Sequence, residues 1–513
     1  MADKQAFIQA VNDGYTFKGE HFAIGAAMLD GDVLKGTLVN LPLKTMNRHG
    51  LVAGATGTGK TKTLQLLTEG LSNASVPVLV MDVKGDFSGI AAAGTENDKI
   101  KERVDKTGLA WKASSFPVEL MTLSDEKGVR LRSTVIEFGP VLMSKILGLN
   151  DTQEGVMAMI FKYCDDSKMA LLDLKDLIKV IQFMGADGKK EVEAQYGKIS
   201  TTSTGTILRK LIELQQQGAD LFFGEPSFDV DDLMRIGDDG RGIVSVLRVS
   251  DMQNRPKLFS TFMLGLLAEL YATLPEAGDL DKPKLVFFID EAHLIFNEAT
   301  PALLSQIETV IKLIRSKGVG IFFCTQNPQD IPASVLSQLG LKVQHALRAF
   351  TAADRKTIKT AAENYPETNF YKVEDQITQL GIGEAFVTLL NEKGIPTPLV
   401  QAYLGSPTSR MDVLAPGEID SLVNGSKLVK KYAESVDNES AYEILTAKLK
   451  QATEEQEQKK EETKSGPAAK HEESFLDNPM VRQAGRTAAS ILTRSLLGAL
   501  GLTGSQRRKK SLF

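Results

Sequence analysis

Gly54-Ala55-Thr56-Gly57-Thr58-Gly59-Lys60-Thr61 decides how this chain is read. It fits the phosphate-loop pattern, in which two spaced glycines are followed at once by lysine and a hydroxyl residue. The apolar run His49-Gly50-Leu51-Val52-Ala53 before it predicts a strand, and Leu64, Leu66, Leu67 and Leu71 after it recur at helical spacing. Strand, glycine loop, helix is the setting the motif requires. Glycines let backbone N–H groups turn toward a polyphosphate, and the helix N-terminus adds the positive end of its dipole. Lys60 is placed to reach the β- and γ-phosphates and the Thr61 hydroxyl to ligate Mg²⁺. Gly54, Ala55, Thr56, Gly57, Thr58, Gly59 and Lys62 complete the expected nucleotide-binding stretch. An ordinary glycine turn is the bland alternative, and the flanking pattern argues against it.

Outward from the loop, Val78-Leu79-Val80-Met81-Asp82 predicts a second strand, leading into Val83-Lys84-Gly85-Asp86. Alternating strands and helices predict a mostly parallel α/β sheet, whose ligands sit at the carboxyl ends of the strands. Asp82, Lys84 and Asp86 fall at that edge, either beside the nucleotide or in a solvated turn. Farther on, Leu285-Val286-Phe287-Phe288-Ile289 ends in Asp290-Glu291. An acid at the tip of a buried strand suits Mg²⁺ held by Asp290, and the neighbouring Glu291 suits a general base acting on water. Acids at a plain helix N-terminus are the alternative. Gln326 ends the next predicted strand, Gly320–Thr325. It reads as a sensor of the γ-phosphate if that strand inserts between the loop strand and the Asp290 strand, and otherwise as a turn cap. Arg315 closes the preceding helix, where a cation also suits the helix dipole.

At 513 residues the chain has room for several cores. A net charge of -5 supplies no global field for nucleic acid, so any such contact must be local. Cys164 and Cys324 read as buried apolar residues in a reducing compartment. No basic-then-apolar leader opens the chain and no apolar run reaches about 20 residues, so a cytoplasmic protein is expected. The expected organisation is a small β cap over 1–49 with short strands at 15–17, 22–25 and 36–39, an ATPase core over 50–405, and a helical extension at 406–450. The core carries a mostly helical insertion at 91–240, with short strands expected near 118–121 and 133–138 and a turn at 215–218. A charged linker follows at 451–474. Residues 475–513 place Met480, Val481, Ala484, Ile491, Leu492 and Leu496 on one stripe with Arg482, Arg486 and Arg494 elsewhere, a basic amphipathic helix suited to a partner protein or an anionic membrane surface.

Taken together, Asn47–Thr61, Asp82–Asp86, Phe288–His293 and Gly318–Gln326 resemble the HerA/FtsK superfamily of ring-forming motor ATPases. The likeness covers about residues 1–405 and the C-terminal segment. It implies a RecA-like core, hydrolysis of ATP with Mg²⁺, self-assembly into a homo-hexamer, and DNA as the polymer moved. It also implies that Arg315 acts in trans on a neighbour's nucleotide and that Arg348 faces the phosphates. The segment before the loop is short for the N-terminal barrel of archaeal HerA, and the C-terminus has no winged-helix DNA reader. A nucleotide-gated scaffold without translocation is the alternative function.

Overall fold

The computed structural model describes residues 4–462 apart from 125, 251–254, 297–300, 434–435 and 437. A twelve-stranded sheet runs through it in the order β2-β1-β12-β11-β10-β3-β9-β8-β4-β7-β5-β6. The strands are β1 His21–Leu29, β2 Asp32–Pro42, β3 Gly50–Ala53, β4 Val78–Asp82, β5 Val118–Thr122, β6 Val129–Arg130, β7 Val244–Arg248, β8 Leu285–Ile289, β9 Val319–Thr325, β10 Leu341–Gln344, β11 Glu384–Thr388 and β12 Val400–Leu404. Every pairing from β10 through β3, β9, β8, β4, β7 and β5 to β6 is parallel. From β10 through β11, β12 and β1 to β2 the pairings are antiparallel.

The parallel strands are apolar on both faces, as helices on either side require. Side chains alternate between two cores. Leu51, Leu79, Met81, Phe287, Ile321 and Phe323 pack with the helices of the 135–216 region and Pro256–Thr273, whereas Val52, Val78, Val80, Phe288 and Phe322 pack with Leu64, Leu67 and Leu71 of the helix Lys60–Asn73. Parallel pairing of β3 with β9, β9 with β8 and β8 with β4 sets the carboxyl ends of these four strands side by side.

The N-terminal residues are not a separate β cap. They open with a helix, Lys4–Tyr15, whose Phe7, Val11 and Tyr15 recur every fourth residue and are buried. Residues 15–17, expected as a strand, close that helix instead. The hairpin β1–β2 then pairs with β12 and completes the antiparallel side of the single sheet. In the mostly helical 91–240 region the strand expected near 118–121 is β5, which joins the sheet beside β7 and carries β6 at its edge. The strand expected over 133–138 is a helix, Val135–Ile146, started by a capping box in which Thr134 and Glu137 satisfy each other's backbone N–H. The helix Thr201–Gln216 takes up Gln215 and Gln216 of the turn expected at 215–218, and the turn itself falls at Gln217-Gly218. The helix Ala441–Glu462 extends through the first half of the expected linker, and the basic amphipathic segment 475–513 lies outside the described residues.

Candidate active site

The loop between β3 and the helix Lys60–Asn73 is shaped by its glycines. Gly57 and Gly59 take φ of +79° and +114°, in the region that favours glycine. Gly54 is glycine for space as well, since a Cβ there would lie 2.5 Å from the Cβ of His345. The loop is pinned at both sides: Gly54 N donates to Thr325 O at 3.2 Å and Ala55 N to Ala346 O at 2.8 Å. No side chain caps the helix start at Gly59, which leaves first-turn N–H groups directed at the loop, as anion binding requires. Lys60 is buried, and its Nζ donates to Gly54 O at 2.7 Å and Ala55 O at 3.2 Å. Burial lowers its pKa, with neighbouring Lys84 adding to the effect.

His345 supports this loop from behind, and nothing in the sequence singled it out. Its Nε2 meets Thr63 Oγ1 at 2.8 Å and its Nδ1 meets Glu384 O at 3.0 Å. Burial pulls its pKa down to about 4, so the ring is neutral. The helix Lys60–Asn73 is also strapped from outside. Glu69 accepts from Thr408 N at 2.8 Å and Ser409 N at 3.0 Å, while Lys62 reaches Met411 O. The Lys62 side chain, expected among the nucleotide contacts, is therefore directed to the strap.

β9 lies between β3 and β8, the arrangement the sensor reading of Gln326 needs. Gln326 and His293 share a cavity of about 640 Å³ with Ala55 and Thr56 of the loop. Arg348 also lines it, but from a loop: β10 ends at Gln344, and the guanidinium donates to Thr378 O at 3.0 Å. Asp290 and Glu291 are 5% and 7% exposed, and both face Lys84 Nζ, at 3.9 Å and 2.5 Å respectively. Burial raises the pKa of Asp290 against the pull of Lys84. For Glu291 burial also pushes upward, yet the Lys84 contact outweighs it and the net shift is down. Glu291 has φ +47°, a strained value for a residue with a Cβ, as active sites often carry.

Asp82, by contrast, serves its own turn. Its carboxylate accepts from Gly85 N at 2.7 Å and Phe87 N at 3.0 Å, and burial lifts its pKa to about 6. Arg315 stands apart from all of these. It lines a cavity with Lys44, Asn47, Arg48, Glu276 and Asp279 at the amino end of β9. β9 has seven residues, so roughly 23 Å of strand separates Arg315 from Gln326.

A bound Mg²⁺ and triphosphate fit this donor set: uncapped N–H groups, a buried lysine with only loop carbonyls as partners, the hydroxyl of half-buried Thr61, and a buried carboxylate on Asp290. Sheet and site together define a RecA-like P-loop ATPase fold. More narrowly, the chain belongs to the Helicase HerA-like C-terminal family, which matches residues 28–508. It is 22% identical over 376 residues to "Probable helicase MJ1565" of Methanocaldococcus jannaschii, covering 72% of this chain and 65% of that protein. It is 20% identical over 367 residues to the DNA double-strand break repair helicase HerA of Saccharolobus solfataricus, covering 70% and 66%. The chain thus spans about two-thirds of the length of these relatives. Among solved structures, the bacterial conjugative coupling protein TrwBdeltaN70 superposes with a TM-score of 0.50 at 14% identity, over 79% of this chain and 93% of the other. That likeness concerns the fold. Among the described residues no helix is long and apolar enough to cross a membrane.

Proposed function

We propose that this chain hydrolyses ATP with Mg²⁺ as one subunit of a homo-hexameric ring, and that the ring uses the hydrolysis to move along DNA. One observation carries the reading: β3, β9 and β8 are adjacent and parallel, with Lys60 in the loop after β3, Gln326 directly after β9 and the buried Asp290–Glu291 pair directly after β8. In this reading the first-turn N–H groups and Lys60 bind and orient the triphosphate. Thr61 and Asp290 would hold magnesium, which when bound neutralises charge on the β- and γ-phosphate oxygens. Glu291 takes a proton from the attacking water, a contribution of roughly 10²–10⁴ in rate. Gln326 registers the γ-phosphate from the neighbouring strand end.

Arg315 reaches no nucleotide within its own chain. In a ring it acts on the neighbour's site, which makes hydrolysis depend on assembly. DNA as the polymer is supported by the names of the repair helicases in the family. The direct test is the ATPase rate of the full chain with duplex DNA, single strands, RNA and no polymer. Stimulation by DNA above the other three is expected. A rate indifferent to every polymer would sink the motor and leave a nucleotide-gated assembly, in which residues 475–513 serve as a dock for a partner protein or membrane surface.

A further inference from the structure

Lys84 takes no part in the chemistry described above, yet it sits at its centre. β4 borders β8, and the turn after β4 is fixed from within by Asp82. Gly85 takes φ +75°, closing that turn tightly. With Asp82 committed to backbone N–H groups, Lys84 crosses to the tip of the next strand. Its ammonium lies 2.5 Å from Glu291 Oε1 and 3.9 Å from Asp290 Oδ2.

Successive residues of an extended strand point to opposite faces. The left-handed backbone at Glu291 breaks that alternation, so two consecutive carboxylates meet one cation. Two buried carboxylates this close repel each other unless a cation is held with them. The second oxygen of Glu291 is in a different situation. Oε2 lies 3.2 Å from His293 Nδ1 but out of line for a hydrogen bond, and it is buried with no donor among the described residues. One oxygen is therefore gripped and the other left as an acceptor.

We propose that Lys84 is a positioning residue for hydrolysis: it grips Glu291 Oε1 and so aims Oε2 at the water that attacks the γ-phosphate. The proposal rests on the general-base reading of Glu291. In the step, the water oxygen bonds to phosphorus and its proton passes to Oε2. The bond to the bridging oxygen breaks, and its electron pair leaves with ADP. Lys84 touches neither water nor phosphate and acts only through the carboxylate.

The test uses the full chain with Lys84→Ala, Lys84→Arg, Glu291→Gln and the double variant Lys84→Ala/Glu291→Gln. Three quantities are read: kcat for ATP, affinity for a fluorescent ATP analogue, and Tm of the nucleotide-free protein. Lys84→Ala is expected to lower kcat about tenfold or more with affinity held within roughly threefold. Lys84→Arg should recover most of the loss, because it restores the cation. Without nucleotide, Lys84→Ala should lower Tm by a few degrees, and Glu291→Gln in the same chain should return part of it. In the Glu291→Gln background, adding Lys84→Ala should leave affinity unchanged.

An unchanged kcat in Lys84→Ala would overturn the proposal. Weakened analogue binding in both backgrounds would overturn it too, by showing that Lys84 contacts the nucleotide directly. If Glu291→Gln hydrolyses ATP at the full rate, the general-base reading falls and takes the proposal with it. An inactive Glu291→Gln beside a normal Lys84→Ala sinks the positioning role alone. Should Lys84→Ala fail to fold, Lys84→Gln keeps the length, removes the charge and carries the same comparisons.

Discussion

The two ends of the parallel strands carry polar groups of very different kinds. At the carboxyl ends of β3 and β8, Lys60, Asp290 and Glu291 are buried and partnered, and the backbone around them uses left-handed turns. At the amino end of β9, Lys44, Arg48, Arg315, Glu276, Asp279 and Glu392 line an open cavity of about 320 Å³. The ion pair there, Lys44 with Asp279 at 3.6 Å, leaves the aspartate 87% exposed, so it contributes little to stability. Buried charge is costly unless it is paired, and folding tolerates it where function needs it. The carboxyl end is therefore a site assembled within one chain. The amino end is a cationic and acidic surface, which the proposed ring would place against a second copy.

The sharpest break between the two ends should come from Lys60→Ala, which removes the buried ammonium at the loop. Nucleotide binding and hydrolysis are both expected to fall to background, as read by binding of a fluorescent analogue and by phosphate release. Arg315→Ala should behave differently: hydrolysis drops by about 10³-fold while each chain still binds nucleotide. Mixing it with Glu291→Gln subunits should restore part of the rate, since each subunit supplies what the other lacks. Equal losses of binding in both variants would erase the distinction. Gln326→Ala, at the carboxyl end but exposed on the cavity wall, should cost about 10²-fold in kcat with affinity intact.

Most of the carboxyl-end site was legible in the sequence because it is local. A glycine loop between strand and helix, and two acids ending an apolar run, are patterns set by neighbours in the chain. Strand order was not legible, yet it alone puts Gln326 between the loop and Asp290. Lys84 was placed at the correct edge, but its contact with Glu291 depends on β4 lying beside β8. His345 carried no signal, because a lone histidine after a short strand has no spacing that marks it. The first helix was missed despite the four-residue spacing of Phe7, Val11 and Tyr15. The 133–138 misreading has a local cause too: apolar Val135, Ile136 and Phe138 look like a strand unless the Thr134–Glu137 cap is weighed first.

One expected effect falls on stability and not on turnover, and both ends share it. His345 behind the loop and His49 at the amino end are buried, and burial pulls each pKa from 6.5 to about 4. His49 accepts from Ile321 N at 3.0 Å and meets Ile311 O at 2.8 Å, which fixes a neutral ring. The unfolded chain takes up these protons first, so stability is full above pH 6.5 and declines as pH falls toward 4. The decline approaches roughly 3 kcal/mol for each ring. Denaturant unfolding of the wild type and of His345→Gln across that window should show a shallower slope in the variant; identical slopes would mean His345 is not buried neutral.

Glu291→Gln, examined in a single turnover, bears most directly on the central claim that a phosphate loop and an acidic strand tip act on one nucleotide. The expected result is ATP bound as tightly as by the wild type and hydrolysed at least about 10²-fold more slowly. Hydrolysis at the wild-type rate, with Glu291 replaced and nucleotide bound, would contradict the account.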